Sequence, residues 1–161
     1  MSFFDYPTSG PETAPPTQVL LADASEADWT ALLDYTQARR FGAGQEVLHA
    51  GGGGRSLYLL LEGTLEVVPP PGRFGRKRAR VRLEAGSVVG EMSFFDGEPR
   101  SAGVRALTPV VLAELTQDGF DGLVAGHPEL ARRLLLDLGR ILAGRLRRAE
   151  ATAGAASSDA L

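Results

Sequence analysis

The chain has 161 residues, 43% hydrophobic and 23% charged, enough for one soluble domain with a proper core and not comfortably two. It has no cysteine, which excludes disulfides, iron–sulfur clusters and thiol catalysis, and its only imidazoles, His49 and His127, lie far apart without a partner pattern, so no metal centre is expected. A net charge of −3 gives no general attraction to nucleic acid or membrane, no run reaches the ~18 apolar residues of a membrane span, and no signal-peptide pattern opens the chain, so the cytoplasm is the expected address.

Residues 1–17 carry four prolines and several hydroxyl residues and are expected to be a disordered N-terminal segment. From Ala24 to Arg40 the pattern is helical: Ser25 is a candidate N-cap, and Trp29, Leu32, Leu33 and Thr36 fall on one face. From Phe41 to Leu115 the period changes to two. Phe41–Leu48 reads as a turn and a strand. Gly51-Gly52-Gly53-Gly54 is a loop, but no Lys-Ser/Thr or helix follows it, so it is not a P-loop. Leu57, Leu59 and Leu61 alternate with Tyr58 and Leu60, and Glu62-Gly63 turns the chain into the next strand. Short strands at this spacing argue for a small barrel or roll.

Between Arg73 and Arg80 five basic residues fall within eight positions. Such a run reads as a solvated hairpin tip in an acidic protein, with contact to nucleic acid or an acidic surface as the sharper alternative. Ala79, Val81 and Leu83 then alternate with Arg80 and Arg82. Pro109 interrupts the pattern before the last strand, Val110 to Leu115.

The stretch from Val89 to Val104 carries the chemistry. Gly90 and Glu91 open a short helical turn, whose unpaired backbone N–H groups and partial positive charge suit an anion. Arg100 adds a planar cation that binds phosphate oxygens in pairs, and Ser101 and the N–H of Ala102 add donors. Glu91 would repel a phosphate but accepts well from an adjacent hydroxyl, as in a ribose. An anion grip beside a hydroxyl acceptor points to a nucleotide.

Past Thr116 the pattern is helical again, with Phe120, Leu123 and Val124 on a short helix. A longer one begins at His127-Pro128-Glu129, with proline near its first turn. Leu130, Leu134, Leu138, Ile141 and Leu142 share one face, and Arg145 falls near the middle of that face. Either the arginine reaches solvent past a frayed end, or it faces the ligand when the helix closes over a pocket. Leu135, Leu136 and Leu146 lie off this stripe. From Ala151 the small residues and serines read as a flexible tail, residues 151–161.

Gly90-Glu91-Met92-Ser93-Phe94-Phe95 followed by Pro99-Arg100-Ser101-Ala102 resembles the phosphate-binding cassette of cyclic-nucleotide-binding domains, and the likeness runs from about Leu33 to Glu150. That family includes the sensor half of catabolite activators, kinase regulatory subunits and cyclic-nucleotide-gated channels. The resemblance implies a mainly β fold with flanking helices: an antiparallel β-roll of the double-stranded β-helix or jelly-roll type, over residues 18–150, with a short cassette helix and a C-terminal lid helix.

It also implies a ligand-binding module and not an enzyme, with no cofactor. Arg100 would hold the cyclic phosphate with Val89, Gly90, Met92, Ser93, Ser101 and Ala102 around it. Glu91 would take the ribose 2′-hydroxyl, Val81 and Leu83 would wall the base, and Arg145 would reach in from the lid. Ser101 fits either cAMP or cGMP, and Arg100-Ser101-Ala102 matches the activator type, which favours cAMP. The expected partners are the nucleotide and a protein, or a second copy met through the C-terminal helix. No helix-turn-helix sequence follows that helix, so DNA binding is not expected. The competing readings are a β-roll that binds no nucleotide, a transcription regulator acting through the basic loop, and a cupin-like enzyme, for which two scattered histidines offer no ligand set.

Overall fold

The computed structural model describes residues 12–13, 19–70 and 80–158. The rest of the expected N-terminal segment and all of the basic stretch before Arg80 lie outside the described residues. In chain order the elements are β1 (Glu12–Thr13), α1 (Glu26–Leu33), β2 (Gln37–Phe41), β3 (Glu46–Leu48), β4 (Leu57–Glu62), β5 (Leu65–Val68), β6 (Val81–Leu83), β7 (Val88–Val89), α2 (Glu91–Asp96), β8 (Gly103–Ala106), β9 (Val110–Leu115), α3 (Gln117–Gly126) and α4 (Pro128–Ser158).

Side-chain alternation sets the architecture. In β4, Leu57 and Leu59 join one apolar cluster while Tyr58 and Leu60 join another; in β9, Ala113 and Leu115 separate from Val110 and Leu112 in the same way. Strands that bury both faces need a cover on each side. These two pair at the centre of a four-stranded sheet ordered β2-β9-β4-β7. One cover is a five-stranded sheet, β1-β6-β5-β8-β3, whose Leu48, Leu65, Val67, Leu83, Val104 and Ala106 share the second cluster. The other is helical: Leu32 of α1, Phe94 of α2, Leu123 of α3, and Leu130, Leu134, Leu138 and Ile141 of α4 pack on Leu57, Leu59 and Leu115. Every pairing is antiparallel except that of β1 with β6. This is the β-roll with flanking helices that the resemblance implies.

Two expectations are corrected. The N-terminal helix does not reach Arg40. Ser25 caps it as expected, in a reciprocal box with Asp28 (both contacts 3.1 Å), but it stops at Leu33. Thr36 then turns the chain, its hydroxyl donating to the Leu33 carbonyl at 2.8 Å, and Gln37–Phe41 pair residue for residue with β9. The open edge of β9 supplies hydrogen bonds that outweigh the weak local preference for helix. At the other end, the expected tail from Ala151 is helical as far as Ser158. Alanine is the strongest helix former, and an Ala-rich stretch following an established helix only has to propagate it.

Candidate functional site

The cassette is anchored by backbone geometry. Gly90 has φ 79°, and a Cβ there would lie 2.7 Å from Arg100 Nη1 and 2.9 Å from the Ser56 carbonyl, so only glycine fits. Its carbonyl is pointed at the guanidinium, and Arg100 Nη1 donates to it at 3.0 Å. The Arg100 backbone is fixed from the other side by the glycine loop: its N–H donates to the Gly52 carbonyl at 2.9 Å, and its carbonyl accepts from the Gly51 N–H at 2.8 Å. Gly54 runs so close that a Cβ would come within 3.3 Å of Nη2. The glycine run thus brackets the arginine.

Arg100 is 5% exposed, forms no ion pair among the described residues, and its Nε is buried without a partner. Its Cζ lies 5.9 Å from the centre of the Tyr58 ring, within cation–π range. Burial holds this guanidinium below its ordinary range, against the opposing influence of Tyr58, Glu91 and Glu114. It stays charged, since arginine does not lose its proton in proteins. A buried cation with one carbonyl acceptor is an unfinished arrangement and calls for an anion.

Glu91, the first residue of α2, is likewise buried, 5% exposed. Its Oε1 accepts from Arg145 Nη1, and Arg145 Nη2 donates to the Val88 carbonyl at 3.1 Å. Arg145 thus does not reach free into solvent: α4 crosses the site and seats its arginine on the cassette acid. Buried Ala149, one turn further on, continues the same face.

The remaining expected residues divide by position. Val81, Leu83, Val89 and Ala102 share the cluster inside the roll with Tyr58. Ser93 is buried and Met92 half-buried on α2. Ser101 is exposed, and its hydroxyl meets the Met92 sulfur at 3.6 Å.

Sequence reasoning missed the polar groups gathered around Glu114. Glu114 on β9 is 7% exposed, with Ser56 Oγ at 2.7 Å and Tyr58 Oη at 3.2 Å from its Oε1 and Arg39 Nε at 2.6 Å from its Oε2. Burial pushes this carboxyl up, but the three hydrogen bonds and the Arg39 charge outweigh it and leave it below the ordinary glutamate range. Burial, with the Glu114 charge, raises the Tyr58 hydroxyl. Nothing in the strand pattern joins Tyr58 to Glu114; the pairing register puts them opposite one another.

Comparison with known proteins decides the family. Residues 38–127 match the model of the cyclic nucleotide-binding domain. The chain belongs to the cyclic-nucleotide-binding domain family. This is a regulatory, non-catalytic family, and among the described residues no cluster of His, Cys, Asp and Glu could hold a metal. The crystal structure of a cyclic nucleotide-binding domain from Methylobacillus flagellatus KT is similar at 31% identity and a TM-score of 0.70, over 83% of this chain and 75% of that one. Glutaminase 2 of Bradyrhizobium diazoefficiens is 36% identical over 132 residues, 80% of this chain and 20% of that protein. A CRP-like cAMP-activated global transcriptional regulator of Mycobacterium tuberculosis is 31% identical over 121 residues, 73% of this chain and 50% of that protein. The chain therefore spans between 20% and 50% of the length of these two curated relatives. No described helix is long and apolar enough to cross a membrane.

Proposed function

We propose that this chain is a cytoplasmic sensor that takes up cAMP inside the roll and reports its presence through α4. The observation that carries the reading is the buried Arg100 guanidinium, held by one carbonyl and with an unpartnered Nε. A cyclic phosphate supplies the missing charge and acceptors, and such charge-assisted bonds are the strong ones. Met92 and Ser93 on the first turn of α2, with Ser101 and Ala102, flank that phosphate. Glu91 uses Oε1 for Arg145, and Oε2 is the acceptor for a ribose 2′-hydroxyl. Val81, Leu83 and Val89 offer the base an apolar wall.

Arg145 links the pocket to output. Ligand that settles on Glu91 changes the seat of α4, and a ligand shifts a conformational equilibrium only by binding one state better. The opposite face of α4 exposes Leu135 (38%), Leu136 (60%) and Leu146 (39%), a surface suited to a protein partner or a second copy of the chain. The regulator similarity and the Arg100-Ser101-Ala102 sequence favour cAMP. The exposed Ser101 hydroxyl, whose one contact is a weak acceptor sulfur, keeps cGMP as the second reading.

A thermal-shift panel of cAMP, 2′-deoxy-cAMP, cGMP, cyclic dinucleotides and 5′-AMP tests the assignment, because a ligand raises the melting temperature by an amount that grows with the logarithm of its concentration over its dissociation constant. The expected order places cAMP first, with 2′-deoxy-cAMP weaker for the wild type and equal to cAMP for Glu91→Ala. No shift with any cyclic mononucleotide rejects the reading.

A further inference from the structure

One buried carboxylate has no part in the nucleotide reading. Glu114 lies directly across the β4–β9 pair from Tyr58, and both its oxygens are occupied: Oε1 by the Ser56 and Tyr58 hydroxyls, Oε2 by Arg39. Tyr58 therefore touches both sides of a charge pair that does not close. Its hydroxyl holds Glu114 at 3.2 Å, while the Arg100 guanidinium sits over its ring with Cζ 5.9 Å from the centroid. The Glu114 charge is felt at Arg100, yet the two form no ion pair.

In an interior of low dielectric, neighbouring opposite charges attract strongly, and an arginine on a flexible stem closes on any acid free to meet it. A closed Arg100–Glu114 pair would leave an incoming anion to compete with a resident carboxylate. We propose that Tyr58 is a positioning residue that keeps Glu114 and Arg100 apart, with Arg39 and Ser56 holding the carboxylate back, so that the guanidinium meets an anionic ligand unpaired. The proposal rests on Arg100 being the anion-binding group. It explains why an acid is tolerated beside a phosphate site: Glu114 stabilises the buried cation through space without occupying its donors. It also gives Arg39, half-exposed on edge strand β2, a task in ligand binding.

The test is a rescue. Calorimetric titration with cAMP is run on the wild type, Tyr58→Leu, Arg39→Ala, Glu114→Gln, and each of the first two combined with Glu114→Gln. Tyr58→Leu and Arg39→Ala release the acid toward Arg100 and weaken cAMP by about tenfold and about fivefold, the scale of a competing charge pair. Glu114→Gln alone stays within about threefold of wild type, and each double variant returns to about that level, a non-additive coupling that a merely structural role would not produce. Arg39→Ala keeps the test open should Tyr58→Leu fail to fold. Double variants as weak as, or weaker than, their single parents overturn the proposal.

Ligand-free 15N NMR of the Arg100 Nε–H separates this outcome from failure of the nucleotide reading. The resonance moves in Tyr58→Leu and Arg39→Ala and returns when Glu114→Gln is added. A resonance unchanged throughout rejects the positioning role even if cAMP binds. Resonances that move and return, in a protein that binds no cyclic nucleotide, retain the role and discard the nucleotide.

Discussion

The central sheet has two faces built from the same strands; both bury apolar side chains, but the roll-facing one also carries buried charge. Toward the helices, Leu57, Leu59, Ala113 and Leu115 join one apolar cluster with residues of α1, α2, α3 and α4. Toward the roll interior, alternate positions of the same strands carry Tyr58 and Glu114, with Arg100 lying over the tyrosine ring. The first face needs no explanation beyond the removal of apolar surface from water. The second carries buried charges that cost free energy to desolvate and that are held open where they could have been neutralised by one another. A fold seeking only stability would place apolar side chains at positions 58, 100 and 114 as well.

Adjacent positions of β4 make this difference measurable. Leu59→Ala leaves a cavity on the helix face and lowers unfolding stability by about 2–5 kcal/mol in chemical denaturation, while the folded fraction keeps a cAMP affinity within about threefold of wild type. A large loss of affinity with little loss of stability would show that the two faces are not separable.

The next contrast is at the lid. Arg145→Ala removes the partner of buried Glu91 and loosens α4 over the pocket, and calorimetry is expected to show cAMP weakened by about three- to tenfold. Tighter binding in this variant would mean that the helix shields the pocket and does not complete it.

The smallest effect is in acid. The Glu114 carboxyl is held below the ordinary glutamate value of 4.5, so its contribution to stability is fully present above that pH and is lost as the pH falls through its lowered folded-state value. Urea midpoints measured from pH 6 down to pH 3 should fall less steeply for Glu114→Gln than for wild type. Parallel curves would remove Glu114 from the acid response.

Much of this arrangement was legible in the chain because it is local. The period-two runs, the Gly90–Ala102 cassette and the apolar stripe of α4 each depend on residues a few positions apart, although the stripe left open whether Arg145 turns outward or inward. What was not legible depends on pairing. Residues 37–40 read as a continuing helix because nothing within the segment announces that β9 offers an edge to bind it. Tyr58 and Glu114 are 56 positions apart, and no spacing rule joins them; only the β4–β9 register does. The glycine run 51–54 was recognised as a loop, but its purpose, bracketing Arg100 through two backbone hydrogen bonds, required the fold. The helical end of the chain was misread for a different reason, since small residues look featureless although alanine is the best helix former.

The decisive measurement is a calorimetric titration of cAMP into the wild type and into Arg100→Ala, both checked for folding by circular dichroism. Removing the cation assigned to a buried phosphate is expected to cost about 2–5 kcal/mol, roughly 30- to several-thousand-fold in affinity, with the fold intact. Equal affinity in the two proteins would contradict the assignment of that guanidinium to the ligand, and with it the reading of the roll as a nucleotide sensor.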